Sequence, residues 1–143
     1  MSIYTIGHST RKLEEFIRIL NNFKIKLVVD VRRFPSSKKF PWFNKENLEK
    51  VLKKEGIQYL HFPELGGYRK EGYKKFARSK EFRENIGKLL EVINEKNAAI
   101  MCTELLWWKC HRRYIANFLT KLGHKVIHIF DERRSYEHKL RTL

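Results

Sequence analysis

Apolar residues recur at two different spacings that alternate along the whole chain, and this alternation restricts the fold more than any other feature. Ser2–Ile6 reads as a short strand, stopped by Gly7-His8-Ser9-Thr10. Leu13, Phe16, Ile17 and Leu20 then follow at helical spacing, with Ser9 or Thr10 as the expected cap. Lys26–Val31 is a β-branched run, the pattern of a strand buried on both faces. A loop from Arg32 to Phe43 carries Pro35 and Pro41, after which Asn44 is placed to cap a helix with Leu48, Val51 and Leu52 on one face, ended by Gly56. Ile57–Phe62 is the third strand. The longest helix, about Ser79–Lys96, turns Phe82, Ile86, Leu89, Leu90 and Ile93 inward. Ala98–Cys102 is the fourth strand, a helix from about Lys109 presents Ile115, Phe118, Leu119 and Leu122, and Lys125–Phe130 is the fifth strand. The remainder reads as a charged tail.

The order βαβαβαβαβ predicts a three-layer α/β/α fold around a mostly parallel sheet of about five strands, Rossmann-like or flavodoxin-like, with residues 1–143 as one domain. A chain of 143 residues can bury a core without disulfide or metal staples. Its 42% hydrophobic and 33% charged residues exclude a disordered chain and a membrane protein. No apolar run approaches the ~18 residues of a bilayer span, and the N-terminus lacks the pattern of a signal peptide. Two cysteines fit a reducing compartment, so a cytoplasmic protein with no membrane partner is expected. Thirty-one basic against 16 acidic residues give 31 − 16 = +15, which points to an anionic partner. A Lys- and Glu-rich composition is also the thermophile-like pattern, without any nucleic-acid role.

Parallel α/β sheets bind ligands beyond the carboxyl ends of their strands. His8 and Ser9 follow the first strand, Asp30 and Arg32 end the second, Cys102 and Glu104 end the fourth, and Cys110, His111 and Arg112 open the next helix. Chemically capable side chains from separate strands are thus expected on one edge. At a helix start, unpaired N–H groups, the helix dipole and Arg112 would favour a Cys110 thiolate, and the same geometry binds phosphate. Three roles stay open for Cys110: nucleophile, lining of an anion site, or a small buried residue. Cys102, at the end of an apolar strand, reads as core.

Gly-x-Gly-x-x-Gly and P-loop motifs are absent, and no cofactor is expected. Cys102, Cys110, His111, His8 and Glu104 include metal-ligand types, but their spacing matches no zinc signature, so no metal is expected either. In Arg32–Phe43 basic and aromatic residues interleave, as in platforms for single-stranded nucleic acid, with Trp42 as the expected stacking ring. The alternative is that Phe34, Phe40 and Phe43 fold onto the core and the lysines only solubilise.

Four segments together carry a resemblance: Thr5-Ile6-Gly7-His8-Ser9; Asp30-Val31-Arg32 with Pro35 and Ser37; Leu65-Gly66-Gly67; and Cys102-x-Glu104 before Cys110-His111-Arg112, with a late His128-Ile129. They resemble the prokaryotic domain-of-unknown-function family 488 over essentially the whole chain. The resemblance implies an intact family site at His8, Ser9, Asp30, Arg32, Glu104, Cys110, His111 and Arg112. The linker Leu105-Leu106-Trp107-Trp108 departs from it, being apolar where family members often carry an acidic or proline-containing turn, and suggests an added stacking surface or partner contact.

The leading expectation is an enzyme-like domain with an anion site, acting on a phosphate-bearing substrate for which nucleic acid is one candidate. Arg32 and Arg112 would bind the anion with Ser9, Asp30 and Trp42 around it; His8, Glu104 or His111 would transfer protons; and Cys110 would be nucleophile or site lining. The competing expectation is a non-catalytic, basic module for single-stranded nucleic acid, and a third is a sensor of small anions or a protein-interaction domain.

Overall fold

The computed structural model describes residues 2–141. Six strands form one sheet: β1 (Ser2–Gly7), β2 (Leu27–Asp30), β3 (Gln58–His61), β4 (Ala98–Cys102), β5 (Lys125–Ile129) and β6 (Ser135–Glu137). Their spatial order is β3-β2-β4-β1-β5-β6, parallel except for β6, which runs antiparallel beside β5. This order is neither the 3-2-1-4-5-6 of dinucleotide-binding folds nor the 2-1-3-4-5 of flavodoxins. Five helices complete the three layers: α1 (Leu13–Asn22), α2 (Lys45–Lys54), the short α3 (Tyr73–Phe76), α4 (Lys80–Ile93) and α5 (Arg112–Lys121). Among the described residues, no helix is long and apolar enough to cross a membrane.

Strand alternation divides the core into two halves. Ile6, Val28, Ala99 and Met101 face α1 and α2, packing on Phe16, Ile19, Leu20, Leu48 and Leu52. Ile3, Val29, Ala98, Ile100 and Cys102 face α4 and α5, packing on Phe82, Ile86, Leu89, Ile93, Ile115 and Leu119. Both faces of β2 and β4 are covered, which is why β4 is an unbroken apolar run and β2 is apolar up to its last residue, Asp30.

Several local expectations are corrected. The expected tail contains β6, three exposed residues too short and polar to signal a strand; the turn before it is held by Asp131, which accepts N–H bonds from Arg133 and Arg134. Neither Ser9 nor Thr10 caps α1, which starts at Leu13 without a side-chain cap. Asn44 precedes α2, yet its Oδ1 accepts from the Ser37 N–H, tying the 32–43 loop to the helix start instead of capping it. Ser79, in contrast, caps α4 by accepting from the Phe82 N–H at 3.1 Å. The segment after β4 makes a single helical turn at Trp107–Lys109, so α5 begins only at Arg112 and Cys110 lies just before it.

Candidate functional site

The helices after β2 and β4 leave the sheet on opposite faces. The ends of these neighbouring strands border a crevice of the kind that holds ligands in open α/β sheets. Pairing between β1 and β4 continues past the strands, from His8 N–H to Cys102 carbonyl and from Ser9 N–H to Thr103 carbonyl, both at 2.9 Å. Gly7 makes this approach attainable, because a Cβ there would stand 1.9 Å from the Glu104 carbonyl oxygen. The result is a cavity of about 470 Å³ lined by His8, Arg32, Cys102, Thr103, Glu104, Cys110 and His111, with Arg33, Phe34, Ser36, Ser37, Gly67, Tyr68 and Lys109 contributed by the surrounding loops.

Cys110 and Cys102 hold the floor. Their sulfurs are 2.9 Å apart, and both cysteines are free. His111 Nδ1 and the Arg112 N–H each stand 3.5 Å from the Cys110 sulfur. The hydrogen bond from the Cys102 thiol, aided against burial by His111 and Arg112, pulls the Cys110 thiol down to about 3. Burial pushes Cys102 the other way, so it keeps its proton and donates it. Cys110 is thus the member of the pair with the lowered thiol, and Cys102, expected only as core, is both core and part of the cavity lining.

His8 is buried and stacks on Phe43 with ring centroids 4.4 Å apart. Its Nδ1–H donates to the Ser9 carbonyl at 2.9 Å, because a carbonyl can only accept, and this leaves Nε2 to accept from Arg32 Nη1 at 3.3 Å. Burial, with Arg32 nearby, lowers His8 to about 4 and keeps it neutral. Ser9 acts through its carbonyl and does not line the cavity.

The two arginines expected to seize an anion are largely committed within the protein. Arg32 Nε and Nη2 donate to the two carboxylate oxygens of Asp30 at 2.9 and 2.7 Å, and only its Nη1 is turned toward His8 and the cavity. Burial works against the Arg32 charge, but the Asp30 carboxylate outweighs it and holds the guanidinium pKa above the ordinary value. Arg112 is completely buried: it donates to Thr5 Oγ1 and to the carbonyls of Glu104 and Leu105, which ties α5 to β1 and to the loop after β4. It acts on the site through its N–H and its positive field. Glu104 is exposed at the cavity and accepts from the Leu106 N–H at 3.2 Å.

Trp42 is not at the site. Its Nε1 donates to the Arg11 carbonyl at 3.0 Å and its ring packs with Phe40 and Phe43 on the α1–α2 half of the core. Trp107 is likewise turned inward, stacked on His128 at 4.4 Å, so only Trp108 of that linker is exposed. The rings standing at the mouth are Phe34, 65% exposed, and Tyr68, 83% exposed, with centroids 5.7 Å apart. Phe34 belongs to the loop whose composition pointed to stacking; the Tyr68 segment was visible in sequence only as a second basic–aromatic stretch. Three cations (Arg32, Arg33 and Lys109) line the cavity against the one carboxylate of Glu104. Among the described residues, no group of three or more His, Cys, Asp or Glu is placed to hold a metal ion.

No curated protein and no solved structure matches the chain. The family model described as "Domain of unknown function DUF488" matches residues 12–119, which takes in Asp30, Arg32, Cys102, Glu104, Cys110, His111 and Arg112 and stops short of His8 on one side and His128 on the other. The matched segment is well over half of the 143 residues, and the chain belongs to the DUF488 family.

Proposed function

We propose that the protein is a cysteine-dependent enzyme acting on a phosphate-bearing substrate. The observation that carries this reading is the Cys110 sulfur lining a cavity with three cationic side chains. It lies 2.9 Å from the Cys102 sulfur and 3.5 Å from both His111 Nδ1 and the Arg112 N–H, neighbours that lower its thiol toward the thiolate. The cations Arg33 and Lys109, with the Arg32 guanidinium that lines the cavity beside His8, draw the anion in, and the thiolate attacks phosphorus. The S–P bond forms as the ester P–O bond breaks. His111, with Nδ1 3.5 Å from the sulfur, supports the thiolate, and the leaving oxygen takes its proton from water. Water then cleaves the S–P bond, losing a proton toward Glu104, and the thiolate returns. His8 is held at both ring nitrogens and serves as a positioning residue for Arg32. Two free cysteines suit a reducing compartment, and a cytoplasmic location belongs to the same proposal.

The test is alkylation by iodoacetamide, read by peptide mass spectrometry, followed by hydrolysis of phosphomonoesters. Cys110 should label far faster than Cys102, at a rate nearly constant from pH 5 to 8, and millimolar phosphate should protect it. Cys110→Ser should abolish turnover. Equal, slow labelling of both cysteines would reduce them to structural sulfurs.

A second reading, a module for single-stranded nucleic acid, is favoured by the exposed Phe34–Tyr68 pair beside Arg33. In the enzyme reading the same pair stacks on an aromatic portion of the substrate.

A further inference from the structure

We propose that Cys110 and Cys102 form a reversible dithiol–disulfide couple, through which the site reduces a peroxide; this rests on the reading of Cys110 as the nucleophile. The two sulfurs come from different elements, Cys102 from the last position of β4 and Cys110 from the loop before α5. Their separation of 2.9 Å exceeds a disulfide bond of ~2.05 Å by about 0.9 Å. Among the described residues, the only other acceptor beside the resolving thiol is the Glu104 carbonyl, at 3.8 Å from Cys102 Sγ.

Exposure divides the labour. Cys110 is half-buried and lines the cavity, whereas Cys102 is 2% exposed, so an oxidant entering the cavity meets Cys110 first. The thiolate attacks the terminal oxygen of a hydroperoxide, forming an S–O bond and breaking the O–O bond. The displaced alkoxide or hydroxide takes a proton from water and leaves as alcohol or water. Cys102 Sγ then attacks the Cys110 sulfenic sulfur, the S–S bond forms, and the S–O bond breaks. The Cys102 proton departs with the hydroxyl as water. Two thiols have lost two electrons and the peroxide has gained them; an external dithiol restores the pair by exchange. The disulfide removes the thiolate that the phosphate chemistry needs, so oxidation also switches that chemistry off.

The experiment uses the reduced full chain, hydrogen peroxide and acid quenching before non-reducing mass spectrometry. The expected product is an intramolecular Cys102–Cys110 bridge, with two free thiols lost, a mass lower by about 2 Da, and full reversal by dithiothreitol. Cys102→Ser should instead accumulate a dimedone-reactive sulfenic acid on Cys110, while Cys110→Ser should leave Cys102 reduced. Retention of both thiols, direct over-oxidation of Cys110 without a bridge, or bridges only between chains would overturn the proposal. The wild-type product alone decides the matter if a variant fails to fold. Phosphate protection of reduced Cys110 is measured on the same preparation, so a failure of bridging and a failure of anion binding are read separately.

Discussion

The fully buried carboxylate of Asp30 accepts three hydrogen bonds from Arg32 and one from Tyr59. A charge so buried is tolerable only because each oxygen is satisfied, and losing one partner leaves the other uncompensated. Asp30→Asn should therefore lower unfolding stability by about 3–5 kcal/mol, measured by urea denaturation, and release Arg32 from its fixed place beside His8. An unchanged midpoint would show that Arg32 is not held by this pair. The buried histidines set the pH response. Burial lowers His8 and His138 to about 4 and, with Arg112 beside it, His128 further still. One proton arrangement satisfies that second cluster: Arg112 donates to Thr5, Thr5 to His128, His128 to His138 and His138 to Asn117. An added proton would set donor against donor. The unfolded histidines bind protons below about pH 6.5 while the folded ones do not, so the unfolded state holds more protons and acid favours it. Through these histidines stability should fall from about pH 6.5 toward 4, by up to ~1.4 kcal/mol per pH unit for each. The lowered Cys110 thiol adds a slope of the same sign that extends up toward its unfolded value of about 8.5. His8→Gln should make the fall shallower; a flat profile from pH 7 to 5 would mean that the folded protein carries these protons already.

At the scale of elements, the site depends on how closely the ends of β1 and β4 approach. Gly7→Ala must push the Glu104 carbonyl aside, and that carbonyl is one of the acceptors holding Arg112 at the start of α5. The variant should lose about 1–3 kcal/mol or more from overpacking and should also narrow the alkylation rate difference between Cys110 and Cys102. Wild-type melting with a wild-type rate difference would show that the 103–105 segment yields without consequence. Helix capping offers a second comparison. Ser79→Ala removes a side-chain acceptor from the first turn of α4 and should cost about 1 kcal/mol in thermal or urea unfolding. Asn44→Ala removes no such acceptor from α2; it frees Ser37, a cavity residue, and should alter phosphate protection of Cys110 more than it alters stability. Equal thermal losses for the two variants would overturn this distinction.

The whole molecule carries a charge of +15, and the cavity mouth concentrates part of it beside two exposed rings. If nucleic acid is the partner, labelled single strands should bind with a log–log salt slope of about −0.7 per phosphate neutralised. Phe34→Ala with Tyr68→Ala should cost about 1–3 kcal/mol per stacked base with the slope nearly kept. Trp42→Ala should reduce stability and leave binding intact, since its ring packs on the core. No binding in fluorescence anisotropy at low salt would remove the nucleic-acid reading. Much of this arrangement was legible in the sequence by itself. The apolar runs of β2 and β4 and the helical spacing of Phe82, Ile86, Leu89 and Ile93 specified buried faces, because burial on a strand or helix repeats with local backbone geometry. Since parallel strands end on one edge, that order also placed His8, Arg32, Glu104, Cys110 and His111 together. Tertiary structure decided the strand order, the pairing of β6, the inward turn of Trp42 and Trp107, and the internal commitment of Arg32 and Arg112. It also brought Cys102 against Cys110 and Phe34 against Tyr68. Spacing along a chain reports which face of an element is buried, whereas the partner of a loop side chain is chosen by whatever distant segment packs beside it.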